Sequence, residues 1–320
     1  MIIVTGATGF VGREVVASAV RQGLAVRAAS RRAPDVGVAG ATFVRAPELD
    51  ARSDWRRTLE GAAVVVHTAA RVHVMKDRAV EPLAEYRRAN VAGTAAIATQ
   101  AAAVGVRRFV FISSIKVNGE RTVAGRPFHA SDHVAPTDPY GISKREAECA
   151  LFAIQAKTGM EVVVIRPVLV YGPGVKANFA TMMRWVRRGV PLPFGAVHNA
   201  RSLVALPNLV DLVLTCVRHP AAAGETFLVS DGDDLSTTQL LRRLAGALDV
   251  RSRLVPVPAV ALRLAARLAG AEDLACRLLD SLQVDIEPTR KVLSWTPPMS
   301  VEDALRTTAS AYLGRMQSSR

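Results

Sequence analysis

The feature that most constrains this chain is a glycine turn set straight after its first apolar run. Ile2–Thr5 reads as a buried strand. Gly6-Ala7-Thr8-Gly9-Phe10-Val11-Gly12 follows without a break and opens a helical pattern over Val11–Gln22. Three glycines spaced three residues apart permit a tight turn, close approach by a ligand and a helix packed hard on the strand. The first N–H groups of that helix lack backbone partners, and the helix dipole adds positive potential there. Such a turn is shaped for a pyrophosphate. Strand, turn and helix together predict a dinucleotide site built from Gly6, Thr8, Gly9, Phe10, Val11 and Gly12.

The alternation continues down the chain. Ala25–Ser30, Ala41–Val44, Ala63–His67, Arg108–Ser113 and Glu161–Ile165 are short runs rich in Val, Ile and Phe. Most are apolar throughout, as strands covered on both faces are. Helical patterns over Pro82–Val104 and Tyr140–Thr158 lie between them. The implied fold class is α/β, a Rossmann-type doubly wound parallel sheet. After Arg166 the pattern changes, with Pro167, Pro173, Pro191 and Pro193 breaking up the segment to about Gly195. Then come a helix near Pro207–Arg218, a strand at Thr226–Val229 and helices near Ser236–Leu248, Ala259–Leu268 and Ser300–Tyr312. A smaller, mainly helical C-terminal substrate lobe is expected. The expected division is a nucleotide-binding domain of residues 1–166 plus about 201–230, and a substrate lobe of 167–200 plus about 231–320. Ala259–Leu268 is amphipathic and basic; packing on the protein core is the expectation, and membrane contact the alternative.

Composition narrows the partners. With 320 residues, 50% hydrophobic and 22% charged, the chain can bury a large core and is not a disordered sequence. No apolar run reaches the roughly 18–20 residues of a membrane span, so no stable membrane insertion is expected. Met1–Val4 already reads as a strand and lacks the basic start of a signal peptide, which points to the cytoplasm. Cys149, Cys216 and Cys276 are odd in number and far apart, so reduced core thiols are expected, with no disulfide framework and no metal site. The formal charge of +13 comes from scattered arginines, and aromatics are only 5%. That pattern argues against a nucleic-acid partner. An anionic small substrate accounts for the charge, and so does a compositional bias toward arginine.

The end of the second strand reports on the ribose. An acidic residue there would bond the ribose hydroxyls of NAD, whereas this chain offers Ser30-Arg31-Arg32. Two guanidinium groups suit a 2′-phosphate, so NADP(H) is favoured and NAD possible, with a solvated basic turn as the bland reading. Glu48 and Leu49 follow the third strand, where an acidic side chain can reach the adenine amino group. Farther on, Tyr140-Gly141-Ile142-Ser143-Lys144 opens a helix and puts Tyr140 and Lys144 on one face. A neighbouring ammonium favours phenolate, so the tyrosine pKa is expected to fall from about 10 toward a range useful for proton transfer. Ser113 and Ser114 end the preceding strand, at the edge where parallel sheets present ligands.

These residues resemble the extended short-chain dehydrogenase/reductase family, in its NAD-dependent epimerase/dehydratase, nucleotide-sugar branch. The likeness runs through the glycine turn, His67-Thr68-Ala69-Ala70, Asn90-Val91-Ala92-Gly93-Thr94 and Ser113-Ser114-Ile115-Lys116-Val117-Asn118-Gly119. It continues in Tyr140 to Lys144, Arg166-Pro167, Tyr171-Gly172-Pro173-Gly174 and Ser294-Trp295-Thr296-Pro297. The resemblance implies that Ser114 assists Tyr140 and that Thr68, Ala69, Ala70, Asn90 and Pro167 join Tyr140 and Lys144 around the cofactor. It implies a UDP-linked sugar met by Asn178 and Arg201, and a homodimer formed through the helices after strands four and five. The loop after strand four is expected to line the sugar pocket with Arg71 and His73, the latter otherwise a plain loop histidine, and Lys116 and Ser114 are expected to share that pocket. Two departures stand out: Asn118 replaces a common tyrosine, and Ile115-Lys116 replaces the acidic pair of dehydratases. Dehydration is therefore disfavoured.

The loop after strand four and Leu279–Asp285 resemble bacterial surface-polysaccharide enzymes, of O-antigen and lipopolysaccharide type. The activity they imply is NADPH-dependent C4 reduction of a UDP-4-keto-6-deoxy-N-acetylhexosamine. The alternative is a UDP-glucose or UDP-N-acetylglucosamine 4-epimerase holding NAD tightly. A third reading is a non-catalytic NADP sensor.

Overall fold

The computed structural model describes residues 1–33, 37–72, 81–123, 125–133 and 136–317. Strand β1 (Ile2–Thr5) leads into helix α1 (Phe10–Arg21), then β2 (Val26–Ser30), β3 (Ala41–Arg45), α2 (Arg56–Leu59), β4 (Val64–His67) and α3 (Pro82–Tyr86). A π-helical stretch, Arg87–Gly93, joins α3 to α4 (Thr94–Ala103). β5 (Arg108–Ile112), α5 (Pro139–Thr158), β6 (Glu161–Pro167), β7 (Leu169–Tyr171), α6 (Ala177–Arg187) and β8 (Leu203–Ala205) follow. The chain ends with α7 (Leu206–Arg218), β9 (Thr226–Val229), α8 (Thr237–Ala247), α9 (Ala259–Leu268), α10 (Glu272–Leu279), α11 (Glu287–Leu293) and α12 (Val301–Gln317).

Seven parallel strands form one sheet in the order β3-β2-β1-β4-β5-β6-β9, the expected doubly wound arrangement. The order reverses between β1 and β4, and a crevice opens at the carboxyl ends of such a pair. β1, β4 and β5 are buried along their whole length, which is why they read as unbroken apolar runs. β3, at the sheet edge, is the exception and leaves Phe43 exposed. Alternate side chains go to opposite faces. Val4, Val66, Val110 and Val163 join α1 and α7 in one apolar cluster. Ile3, Val65, Phe109 and Phe111 join α4 and α5 in the other. A third cluster, around Tyr171, Phe179, Met183, Leu244 and Leu305, packs α6, α8 and α12 together.

Several elements escaped the sequence pattern. β7 and β8 pair in parallel as a small second sheet, but each is only three residues long. α6 sits in the segment read as broken, because Pro173 and Gly174 end just before its first turn. α2, α10 and α11 are too short to show a periodic pattern of their own. Two expectations are corrected. α9 does not pack on the core: none of its residues is buried, and the side it turns inward carries Ala259, Leu262 and Ala266, mostly too small to fill a core. Of the three free cysteines only Cys216 is a core thiol; Cys149 and Cys276 lie on outward helix faces and are exposed. Among the described residues no helix is long and apolar enough to cross a membrane.

Candidate active site

The glycine turn is fixed by crowding. Gly6 is left-handed, φ +69°, and a Cβ there would lie 2.7 Å from the Ala69 amide nitrogen. A Cβ on Gly12 would lie 2.3 Å from the Gly6 carbonyl oxygen and 2.6 Å from Thr68 Oγ1. The Thr68 hydroxyl donates to the Thr5 carbonyl at 2.7 Å and ties the ends of β1 and β4 together. Gly9 caps α1 without a side-chain bond, so the first-turn N–H groups stay uncapped. Bare backbone, no side chains and open N–H groups fit a pyrophosphate. Phe10 and Val11 are half-buried and Thr8 is exposed, its hydroxyl 3.1 Å from that of Ser30.

The ribose end is looser. Ser30 donates to the Arg32 carbonyl at 2.6 Å. Arg31 reaches Glu48 at 3.1 Å, and both side chains are 68% exposed. Leu49 is held against the π-helical stretch, where a Cβ on Gly93 would come within 2.8 Å of Leu49 Cγ.

Helix α5 is positioned by buried polar groups. Asn90 accepts from the Arg71 amide at 2.8 Å and donates to the Arg71 carbonyl and to Ser143 Oγ, both at 3.0 Å. Ser143 in turn donates to the Tyr140 carbonyl at 2.8 Å. Both protons of the Asn90 amide are thereby used, so this residue links the loop after β4 to the first turn of α5. One turn beyond Lys144, Glu148 accepts two bonds from Arg166, at 3.0 and 2.7 Å, and one from Ser113 at 2.5 Å. Arg166 also donates to Asn118 at 2.9 Å, and Asn118 donates to the His129 carbonyl. All of Ser113, Asn118, Glu148 and Arg166 are buried.

Tyr140 and Lys144 come together as their spacing predicts, with Lys144 Nζ 6.0 Å from the Tyr140 ring centre. The amine donates to the Ile112 carbonyl at 2.8 Å, at the end of β5, and lies 4.3 Å from the Phe111 ring. Burial pulls the Lys144 amine down to about 7, against the opposing charge of Glu148. The expected lowering of the tyrosine is reversed. Burial, then Asp138 and then Tyr86, pushes the half-buried phenol above its ordinary range. Burial, with help from Lys144, also holds His67 at about 3. It is a neutral bridge between Thr5 at 2.7 Å and Thr94 at 3.1 Å. Ser114 accepts from the Lys116 amide at 3.3 Å, a bond that leaves its own proton free.

The profile of the NAD dependent epimerase/dehydratase family matches residues 2–230. The chain belongs to that family. A UDP-glucose 4-epimerase of Vibrio cholerae is 49% identical over 98% of this chain and 95% of its own length. MoeE5, solved with UDP-glucose and NAD, superposes with a TM-score of 0.75 at 23% identity over 99% of both chains. A Thermotoga maritima UDP-glucose 4-epimerase bound to UDP-glucose gives 0.77 at 23% identity, over 98% of this chain and 99% of that one. At that identity the two structures speak for the fold.

In this epimerase/dehydratase family member the residues expected at the sugar are less tightly gathered than those of the crevice. Lys116 is spent on two carboxylates, Glu120 at 2.9 Å and Asp138 at 3.2 Å. Arg71 lies over the Tyr86 ring at 5.5 Å, and Tyr86 meets Tyr140 edge-on at 6.0 Å, so Arg71 stands two rings from the phenol. Arg201 is largely enclosed and donates to the Asp280 carbonyl at 2.9 Å. Asp280 lines a cavity of about 440 Å3 with Arg121, Thr122, His198 and Asn199. Asn178 is exposed in the first turn of α6 and is not part of that lining. His73 lies outside the described residues. Thr68, Ala69 and Ala70 are half-buried, and Pro167 is buried at the end of β6. Glu148 and Asp138 were not singled out in the sequence. A carboxylate one turn past Lys144, an arginine ending an apolar strand at Arg166, and an Asp-Pro helix start are the signals that mark them.

Proposed function

We propose that this protein is a UDP-hexose 4-epimerase that uses NAD, with Ser114, Tyr140 and Lys144 at its reacting centre. The observation that carries the reading is the pairing of a phenol and an amine on α5, with the amine bonded to the Ile112 carbonyl at the end of β5, two residues before Ser114. The extensive match to a UDP-glucose 4-epimerase favours epimerisation over the reduction expected from the arginine pair. Tyr140 takes the proton from the C4 hydroxyl oxygen and returns it once the sugar ring has turned over. Ser114 donates to that oxygen throughout. Lys144 would hold the cofactor's ribose hydroxyls and, when protonated, favour the phenolate of Tyr140 by its charge. Bound NAD supplies a hydride acceptor and a positive charge, and the charge favours the phenolate that burial alone disfavours. Gly6, Gly9 and Gly12 hold the pyrophosphate through backbone, and Asn90 and Glu148 keep α5 in place. Arg201 meets the substrate diphosphate. A homodimer through α4 and α5 goes with this reading.

A second reading, NADPH-dependent reduction of a UDP-4-keto-6-deoxy sugar, rests on Ser30-Arg31-Arg32, where no carboxylate awaits the ribose. One experiment separates the two. Purified protein with NAD is given UDP-glucose, then UDP-N-acetylglucosamine, and products are separated by chromatography. Galacto-configured product without net cofactor use is expected. NADPH consumption with the 4-keto sugar, and no interconversion of the hexoses, would replace the epimerase with the reductase.

A further inference from the structure

α9 is where the chain departs most from burying its apolar residues. At 100° per residue, Ala259, Leu262 and Ala266 fall on one face, and these are its half-buried positions. The opposite face carries Val260, Leu264 and Leu268, which are 79%, 60% and 82% exposed, with Ala261 and Ala265 beside them. Arg263 and Arg267 run along one flank. Arg263 is paired with Asp280 at 2.6 Å, while Arg267 reaches only Glu272, at 3.9 Å. In the neighbouring α10, Leu274 is 47% exposed. From Arg251 to Arg277 there are five arginines against two carboxylates, Glu272 and Asp273. A surface helix of a globular protein turns its apolar side inward. Here the apolar side faces out and arginine borders it, which is the composition of a helix lying in a bilayer interface.

A second copy of the chain suits this face poorly. A ten-residue helix is about 15 Å long. Its face offers on the order of 150–300 Å2, whereas a stable interface buries about 800 Å2 on each partner. Antiparallel twofold pairing would also put the Arg263 and Arg267 flanks of both copies on one side. A bilayer demands no matching shape, and anionic headgroups complement the guanidinium groups. We infer that α9, with Leu274 of α10, docks this protein on the surface of an anionic phospholipid bilayer, its apolar face at the level where headgroups meet acyl chains. Ala259 and Arg263 also line the 440 Å3 cavity, so docking would hold that cavity close to the membrane surface. The inference stands apart from the reaction proposed above.

The test uses the full-length protein and sedimentation with two kinds of vesicle, phosphatidylcholine alone and phosphatidylcholine mixed with phosphatidylglycerol. Binding to the mixed vesicles, weakened by salt, is expected. L264E/L268E should lose about tenfold or more in affinity, and Arg267→Gln roughly fivefold. These side chains are exposed, so the variants keep their fold, and unchanged thermal unfolding checks that. Wild-type protein that stays in the supernatant with both vesicles overturns the inference. So does equal binding by L264E/L268E. A dimer in ultracentrifugation that this double variant dissolves, without vesicle binding, would assign the face to self-association instead.

Discussion

The two ends of the cofactor crevice are built on different terms. At the catalytic end, Ser113, Asn118, Glu148 and Arg166 are buried and bonded to one another, and Asn90 ties the helix start to the neighbouring loop. At the ribose end, Arg31 and Glu48 meet in solvent and Arg32 is exposed. Buried charges are costly to desolvate and very costly to leave unpaired, so a network of them tolerates one geometry. An exposed pair is screened and gains little, so it fixes little. On the proposed reading, the proton chemistry would be built into the frame of the fold, while the choice between NAD and NADP would rest on a few replaceable surface charges.

Removing the phenol should produce the largest effect. Tyr140→Phe is expected to lower turnover by about 10²–10⁴, while cofactor affinity measured by calorimetry changes little. Turnover that survives would strip the catalytic end of its assigned chemistry. Next comes the network behind it. Glu148→Ala leaves Arg166 buried without its carboxylate and should lower the unfolding free energy by about 3–5 kcal/mol in urea titrations. A loss as small as that of an exposed pair would erase the contrast between the two ends.

The buried amine offers a pH test. Lys144 is pulled from its ordinary 10.5 to about 7 in the folded chain. Between those values the unfolded chain binds the extra proton, so stability should climb as pH rises from about 7. The cost of burying the charge is fully felt below about 7 and gone above 10.5. Lys144→Met should flatten that part of the profile. An unchanged slope would mean that another group titrates there.

The sheet was legible because its inner strands are covered on both faces and so advertise themselves as unbroken runs, as Val64–His67 and Arg108–Ile112 do. The glycine turn was legible because crowding by Thr68, Ala69 and the Gly6 carbonyl excludes a side chain at Gly6 and Gly12. Tyr140 and Lys144 followed from helix spacing alone. Their protonation did not, since burial is a property of the folded whole and reversed the expected direction for the phenol. β7 and β8 were too short to show a period, and their pairing spans more than thirty residues of chain. The orientation of α9 was misread because amphipathicity shows that a helix has two faces, without saying which one meets the protein.

The smallest expected effects lie at the ribose end, and they bear most directly on the comparison. Arg31 is shared between solvent and Glu48. If it also meets a 2′-phosphate, Arg31→Ala should weaken NADP relative to NAD by roughly three- to tenfold, the range of one partly screened charge contact. Glu48→Ala should move the same ratio the other way, by about two- to threefold, because the carboxylate no longer competes for the guanidinium. Dissociation constants for both dinucleotides, taken at two salt concentrations, measure the ratio and show whether the effect is screened. No change in either variant would make Arg31 a solvated turn residue and remove the main support for the reductase reading. A change of a hundredfold or more would mean that ligand binding buries this pair. The ribose end would then be as firmly built as the catalytic end, and selectivity would belong to the frame of the fold after all.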